Sequence, residues 1–264
     1  MIRVVAVGDL MVDVAAQGKD HEARIAVVAG GSALNVACYA ARLGAEAAVA
    51  GRVGDDAGGR LLLAHLAERR VRADVGIDPH APTGTVLVVD GETRADRGAN
   101  ARYAPEHLPQ LEAEVVLISG HLPEATVSAA LARAEAPWVG LDAARLTEIP
   151  AGAPVVLANE AAARRVTGCG AEEGVRRLAQ GRRLACVTLG AAGAVAALDG
   201  HVHRATSPGT ATDADVFRAG DAFAAALLVE LARGAAVPEA LALACAAGAD
   251  VARATTAPAA LGAR

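Results

Sequence analysis

At 264 residues the chain can bury a large core as one α/β domain, and its formal charge of -5 argues against a nucleic-acid binder, which needs a basic face. Hydrophobic residues reach 53%, mostly Ala and Val, but aromatics are only 2%, which rules against base-stacking platforms and aromatic sugar cradles as the main binding device. Lys19 is the only lysine and lies in Gly18-Lys19-Asp20, so the chain has neither the loop lysine of a P-loop NTPase nor the strand lysine of a protein kinase. It also lacks a Gly-x-Gly-x-x-Gly after a strand, a His-Glu-x-x-His and a Gly-x-Ser-x-Gly. If this chain handles nucleotide phosphates, it has to do so with backbone amides and arginines. The four cysteines, Cys38, Cys169, Cys186 and Cys245, stand far apart in apolar context and read as reduced core residues. Asp9 and Asp13 interrupt the first apolar run too early for a signal peptide, and no uncharged run approaches the roughly 20 residues of a membrane span. A soluble, cytoplasmic protein is expected, with neither membrane nor nucleic acid among its partners.

In chain order, a β-branched run predicts a strand over 3–7, ending at Gly8-Asp9 and continuing through 10–14. Asp9 and Asp13 fall at or past its end, where open α/β sheets place ligand sites, although Asp13 also reads as a turn residue. Residues 15–28 read as a short β excursion, a small lid within one domain over 1–264. Gly30-Gly31-Ser32-Ala33-Leu34-Asn35 then leads into a helix over 36–43. Either the paired glycines let a ligand approach the backbone with Asn35 beside it, or this is an ordinary turn with Ser32 as N-cap. A strand over 47–53 and a helix through Leu61, Leu62 and Leu66 follow. Strands are next expected over 71–77 and 85–89, with a turn at Asp90-Gly91 and polar loop over 94–100.

The second half alternates: strands over 115–119, 139–142, 155–158 and 185–189, helices over 124–133, 160–166 and 171–179, and a hairpin from 194–199 and 201–204. Two Ala-rich helices near 221–233 and 238–253 close it. Short apolar strands alternating with helices imply a mostly parallel sheet with helices on both faces. His121 lies past a strand end, whereas His201 and His203 read as surface histidines with no metal geometry.

The stretch Asp215-Val216-Phe217-Arg218-Ala219-Gly220-Asp221-Ala222-Phe223 runs directly into an apolar helical pattern. A small-residue turn at a helix mouth offers free amides and the positive dipole end to an anion. Asp221 beside it suits a base that takes a proton from an attacking hydroxyl, or simply caps the helix.

Together these residues resemble the ribokinase-like, or PfkB, family of carbohydrate kinases. One family signature is similar to Gly30-Gly31-Ser32-Ala33-Leu34-Asn35-Val36-Ala37; the other, Asp-Thr-x-Gly-Ala-Gly-Asp-x-Phe, is matched in part over 215–223. Further similar pieces are Gly51-Arg52-Val53-Gly54-Asp55-Asp56-Ala57-Gly58, Pro82-Thr83-Gly84-Thr85-Val86, Asn159-Glu160 and Thr188-Leu189-Gly190-Ala191-Ala192-Gly193. The resemblance implies a three-layer ribokinase-like α/β fold with a small β lid. It implies an ATP-dependent kinase acting on a hydroxyl of a sugar or sugar-like molecule, with Mg2+ as cofactor. Asp221 would be the general base, and Ala219, Gly220 and Asp221 would give amides to the transferring phosphate, with Arg218 beside them. Asp13, Gly30, Gly31 and Asn35 would bind sugar hydroxyls. Asn159 would lie near the phosphates and the magnesium, or serve as a helix cap, and Thr188, Gly190 and Gly193 would line the nucleotide cleft. The lid would exclude water. A homodimer is left open.

The departures carry information too. Arg218 stands where the family has its first anion-hole glycine, either pairing with the γ-phosphate or blocking the site. Val216 replaces a threonine. In Asn159-Glu160-Ala161-Ala162, Ala162 takes the place of the family's Glu. Thr255-Thr256 replaces a Gly-Ala loop tied to a monovalent cation, which counts against that ion here. The alternative reading is therefore a ribokinase-like protein that binds sugar or nucleotide with little or no turnover.

Overall fold

The computed structural model describes residues 1–17, 20–89, 92–208 and 216–256. In chain order its strands are β1 (Arg3–Val7), β2 (Met11–Gln17), β3 (Arg24–Gly30), β4 (Glu46–Gly54), β5 (Arg72–Asp78), β6 (Gly84–Val89), β7 (Glu92–Asp96), β8 (Leu111–Glu112), β9 (Val115–Ser119), β10 (Ala134–Glu135), β11 (Trp138–Asp142), β12 (Val155–Asn159), β13 (Leu184–Thr188), β14 (Ala194–Leu198) and β15 (His201–Ala205). The helices are α1 (Ser32–Arg42), α2 (Ala57–Glu68), α3 (Glu124–Arg133), α4 (Glu160–Thr167), α5 (Ala171–Leu178), α6 (Val216–Ala232) and α7 (Val237–Thr256).

Nine strands form one sheet in the order β15-β14-β13-β12-β11-β9-β1-β4-β5. All pairs from β5 to β13 are parallel, and β14 and β15 close the far edge antiparallel. The interior strands are continuous apolar runs because both faces are covered; β9 is buried at all five positions. Alternate side chains feed two cores. Val4, Ala6 and Leu117 point to the layer of α1, α2, α6 and α7, whereas Val5, Val7, Val116 and Ile118 point to the layer of α3, α4 and α5. These are the three layers and mostly parallel sheet expected of a ribokinase-like fold.

A second sheet, β3-β2-β6-β7, makes the lid. It is wider than the excursion expected at 15–28, since β2 starts at Met11 and also pairs in parallel with β6. The expected loop at 94–100 is corrected as well: Glu92–Asp96 is a strand, followed by a 3-10 turn over Gly98–Arg102. All five residues of β7 are exposed at the sheet edge, so no buried face imprints an alternating pattern on its sequence. The expected turn at Asp90-Gly91 lies outside the described residues.

The largest difference concerns α6. It begins at Val216, not near Asp221. No helix breaker stands between Val216 and Ala219, and one interior glycine costs only about 1 kcal/mol, so the strong helix beyond propagates back through Gly220. Asp221 therefore lies inside the helix and is not its cap.

Candidate active site

The sheet reverses its winding between β1 and β9. From β1 the chain builds outward through β4 and β5 on one side, and from β9 through β11, β12 and β13 on the other. Ligands of open α/β sheets bind in the crevice outside the carboxyl ends of the strands at such a reversal. Here that crevice holds Asp9, Ser119 and His121. The Ser119 hydroxyl donates to Asp9 Oδ1 at 3.1 Å, and the His121 amide donates to Ser119 Oγ at 3.3 Å. Arg97, arriving from beyond β7, donates to the His121 carbonyl. At the end of β11, Asp142 accepts from the Ala144 amide at 3.2 Å. Burial pushes the Asp142 carboxyl up to about 6; His121 opposes that shift and Asp9 adds to it.

Two glycines let the chain pass from lid to helix here. Gly31 has φ +96°, and a Cβ on it would meet the Asp9 carbonyl at 2.4 Å and Leu10 Cα at 2.8 Å. A Cβ on Gly30 would meet Asp13 Oδ2 at 2.1 Å, so this glycine makes room for that carboxylate. Gly31 is the residue preceding α1, and Ser32 is its first helical residue with no capping bond of its own, so the N-cap reading of Ser32 does not hold.

Ser32 and Asn35 of α1 instead reach across to α6. The Ser32 hydroxyl donates to Asp221 Oδ1 at 3.0 Å, and Asn35 Nδ2 donates to Asp221 Oδ2 at 2.8 Å. Burial raises the Asp221 carboxyl well above the ordinary carboxylate range; the Asn35 and Ser32 hydrogen bonds pull it down, and the charges of Asp142 and Asp9 push it further up. A carboxylate so raised is a strong base once ionised.

Arg218 lies one helical turn before Asp221. Its Nη2 stands 3.4 Å from Asp13 Oδ2 and donates to the Ala29 carbonyl at 3.2 Å. Neither sequence expectation for this residue describes that contact, in which Arg218 ties α6 to β2 and β3. The amides left without an intrahelical partner in the described part of α6 are those of its first turn, Val216 to Arg218. Those of Gly220 and Asp221 fall within the helical ladder.

On the far side of the crevice Asn159 and Thr188 are register partners at the ends of β12 and β13. Asn159 is the N-cap of α4, its side chain accepting from the Ala162 amide at 2.7 Å, as the capping alternative had it. Gly193 has φ +97°, and a Cβ there would meet the Ala205 carbonyl at 2.0 Å, so it shapes the turn from Gly190 into β14. Next to this turn lies an open groove of 370 Å³ walled by Leu189, Ala192, Ala194, Val195, Pro238 and Ala242.

Among the described residues, the position that the resemblance gives to a magnesium-associated carboxylate carries none. Ala162 is buried where the resemblance puts a Glu, and Glu160 faces Arg164 at 3.8 Å. Among the described residues no cluster of three or more His, Cys, Asp or Glu is arranged to hold a metal ion. No step is therefore derived through magnesium.

Asp13, the Gly30-Gly31 turn, Asn35 and a raised Asp221 thus gather around one crevice. Residues 1–260 fit the model of the pfkB family carbohydrate kinases. The chain belongs to that family. Among curated proteins it is similar to a ribokinase of Bacillus subtilis (strain 168), 39% identical over 111 residues, covering 38% of each chain. It is also similar to a fructokinase of Klebsiella pneumoniae, 34% identical over 120 residues, covering 42% of this chain and 38% of the relative. The aligned part is thus well under half of either curated relative. Similarity to solved structures runs end to end. A fructokinase from Vibrio cholerae O395, in its fructose, ADP and calcium ion bound form, has 27% identity and a TM-score of 0.82 over 100% of this chain and 96% of that one. A ribokinase from Thermotoga maritima superposes with a TM-score of 0.84 at 22% identity over 100% and 97%, which shows the shared fold.

Several site residues were missing from the sequence reading. Ser119, Asp142 and Arg97 were not singled out as functional, although Ser119 and Asp142 end predicted strands and that position was the available signal. Arg97 had no signal, since it reaches the site from a polar stretch taken as loop.

Proposed function

We propose that this pfkB-family protein transfers the γ-phosphoryl group of ATP to a hydroxyl of a sugar or sugar-like molecule, with Asp221 as general base. The observation that carries the reading is the raised carboxyl of Asp221, held by Ser32 and Asn35 on the sugar side and one turn from the free amides of α6. Its base oxygen takes the proton of the acceptor hydroxyl, the oxygen attacks the γ-phosphorus, and the bond to the leaving oxygen breaks to release ADP. Asp13, Gly30, Gly31 and Asn35 receive the acceptor; Asn35 keeps a carbonyl oxygen without a partner among the described residues. Thr188, Gly190 and Gly193 border the nucleotide, and the groove beside them, walled mainly by aliphatic side chains with Arg204 and Thr206 among them, has room for a base. The Vibrio cholerae fructokinase, solved with fructose and ADP, supports the pairing of a sugar with an adenine nucleotide.

One set of observations favours the second reading, a binding protein of feeble turnover: Arg218 engages Asp13, Ala162 takes a Glu position, and α6 holds the Gly220 and Asp221 amides in its ladder. ADP release from Mg-ATP across pentoses, hexoses, keto-deoxy acids and nucleosides, with Asp221→Asn alongside, separates the two. The kinase reading expects turnover on some acceptor, lowered about 10²- to 10⁴-fold in the variant. Wild-type silence across the panel with nucleotide binding retained favours the binding protein. Turnover unchanged by the substitution removes Asp221 from the role of base.

A further inference from the structure

Arg218 engages the acceptor side of a residue set whose other half is meant for phosphate, and the inference drawn from this rests on the phosphotransfer proposed above. One nitrogen, Nη2, meets both Asp13 and the Ala29 carbonyl, while Nε and Nη1 take no partner among the described residues. Asp13 lies on β2 and Ala29 on β3, adjoining strands of the lid, so the guanidinium ties the helix of Asp221 to the base of the lid. The contact is accessible to exchange: the Arg218 and Asp13 side chains are 32% and 30% exposed. Arg218 and Asp221 are three positions apart, which places them on one face of α6. A phosphate brought to the hydroxyl at Asp221 therefore comes within the range of a guanidinium whose planar fork suits it.

We propose that Arg218 couples the binding of acceptor and donor. In the structure Asp13 holds it. When the hydroxyls of the acceptor take over the Asp13 carboxylate, the guanidinium passes to the transferring phosphate. A nucleotide arriving alone must first pull Arg218 from Asp13, and only the fraction already released binds without that cost. Acceptor and nucleotide then strengthen each other by the same factor, as linkage requires. A glycine at 218, the residue the family signature has there, would form no such pair.

The test needs no acceptor. Isothermal titration calorimetry with Mg2+ and the non-hydrolysable analogue AMP-PNP is run on wild type, Asp13→Asn, Arg218→Gln and the double variant. Removing the Asp13 charge in the wild-type background should tighten nucleotide binding about 2- to 5-fold, the range of a partly exposed ion pair. In the Arg218→Gln background the same substitution should change nothing. An equal gain in both backgrounds would mean that Asp13 repels the anion directly, and no gain in either would mean that Arg218 was never held back; each overturns the coupling while leaving the kinase reading standing. A wild type that binds no nucleotide overturns the kinase reading and the coupling with it. Asp13→Ser closes the cycle should the Asn variant fail to fold.

Discussion

Asp9, Asp142 and Asp221 share the space outside the sheet, and their mutual repulsion has two consequences of known sign. Asp221 must be ionised to act as base, so kcat/KM should rise with pH through a value above the ordinary carboxylate range. Asn35→Ala removes a hydrogen bond that favours the ionised form and should move that acid limb up; Asp142→Asn removes a repelling charge and should move it down. An acid limb near pH 4 that neither variant moves would take Asp221 out of the rate profile. Stability is tied to the same groups. Because the folded Asp142 carboxyl is raised to about 6, the folded state binds more protons than the unfolded one, so its contribution is full below the ordinary value and lost as pH rises to about 6. Asp142→Asn should flatten that decline in a series of thermal melts.

Helix α6 shows where local reading and the folded chain part company. The motif from Asp215 to Phe223 was legible as a phosphate-type turn because of its small residues, but the point at which the helix starts is set by cooperativity, which no single residue announces. Gly220 sharpens the point. Among the described residues nothing lies within 4 Å of where its Cβ would be, and it sits in a helix, so packing gives no reason for glycine there. Gly220→Ala should therefore stabilise the fold by about 0.5–1 kcal/mol in a urea melt, through helix propensity alone. If a phosphate approaches the backbone beside Asp221, the same methyl intrudes on it and kcat/KM should fall. A stabilised variant with undiminished activity would show that no ligand comes close at this position. The edge strand β7 is the converse case. Its exposed polar residues carry no periodic signature, and only pairing with β6 makes it a strand.

At the scale of the molecule, the parallel sheet was readable because strands buried on both faces must be apolar runs, and the end of the first run located Asp9; Ser119 and Asp142 end runs of the same kind but were not singled out, and Asp13 lies within β2 of the second sheet. The pairs that complete the site were not readable, since Asn35 and Asp221 are 186 positions apart and only the packing of α1 on α6 joins them. The lid raises the same question of long-range joints. The chain leaves the main sheet for the lid between β1 and β2, at Leu10, where the backbone would otherwise be bare. Asn100 stands in for a neighbouring strand: its Oδ1 accepts from the Leu10 amide at 3.0 Å, and its Nδ2 donates to the Leu10 carbonyl at 2.9 Å. The side chain is fully buried, so Asn100→Ala strands two backbone groups away from water. At about 1–3 kcal/mol for each unpaired group, the loss should reach about 2–6 kcal/mol in a denaturant melt. Asn100→Asp refines the test. A neutral carboxyl can still donate, whereas the ionised form cannot and is buried as a charge, so this variant should be closer to wild type at pH 4 than at pH 7. A loss within ~0.5 kcal/mol for Asn100→Ala, the size of an ordinary surface substitution, would mean that the joint between sheet and lid is held elsewhere.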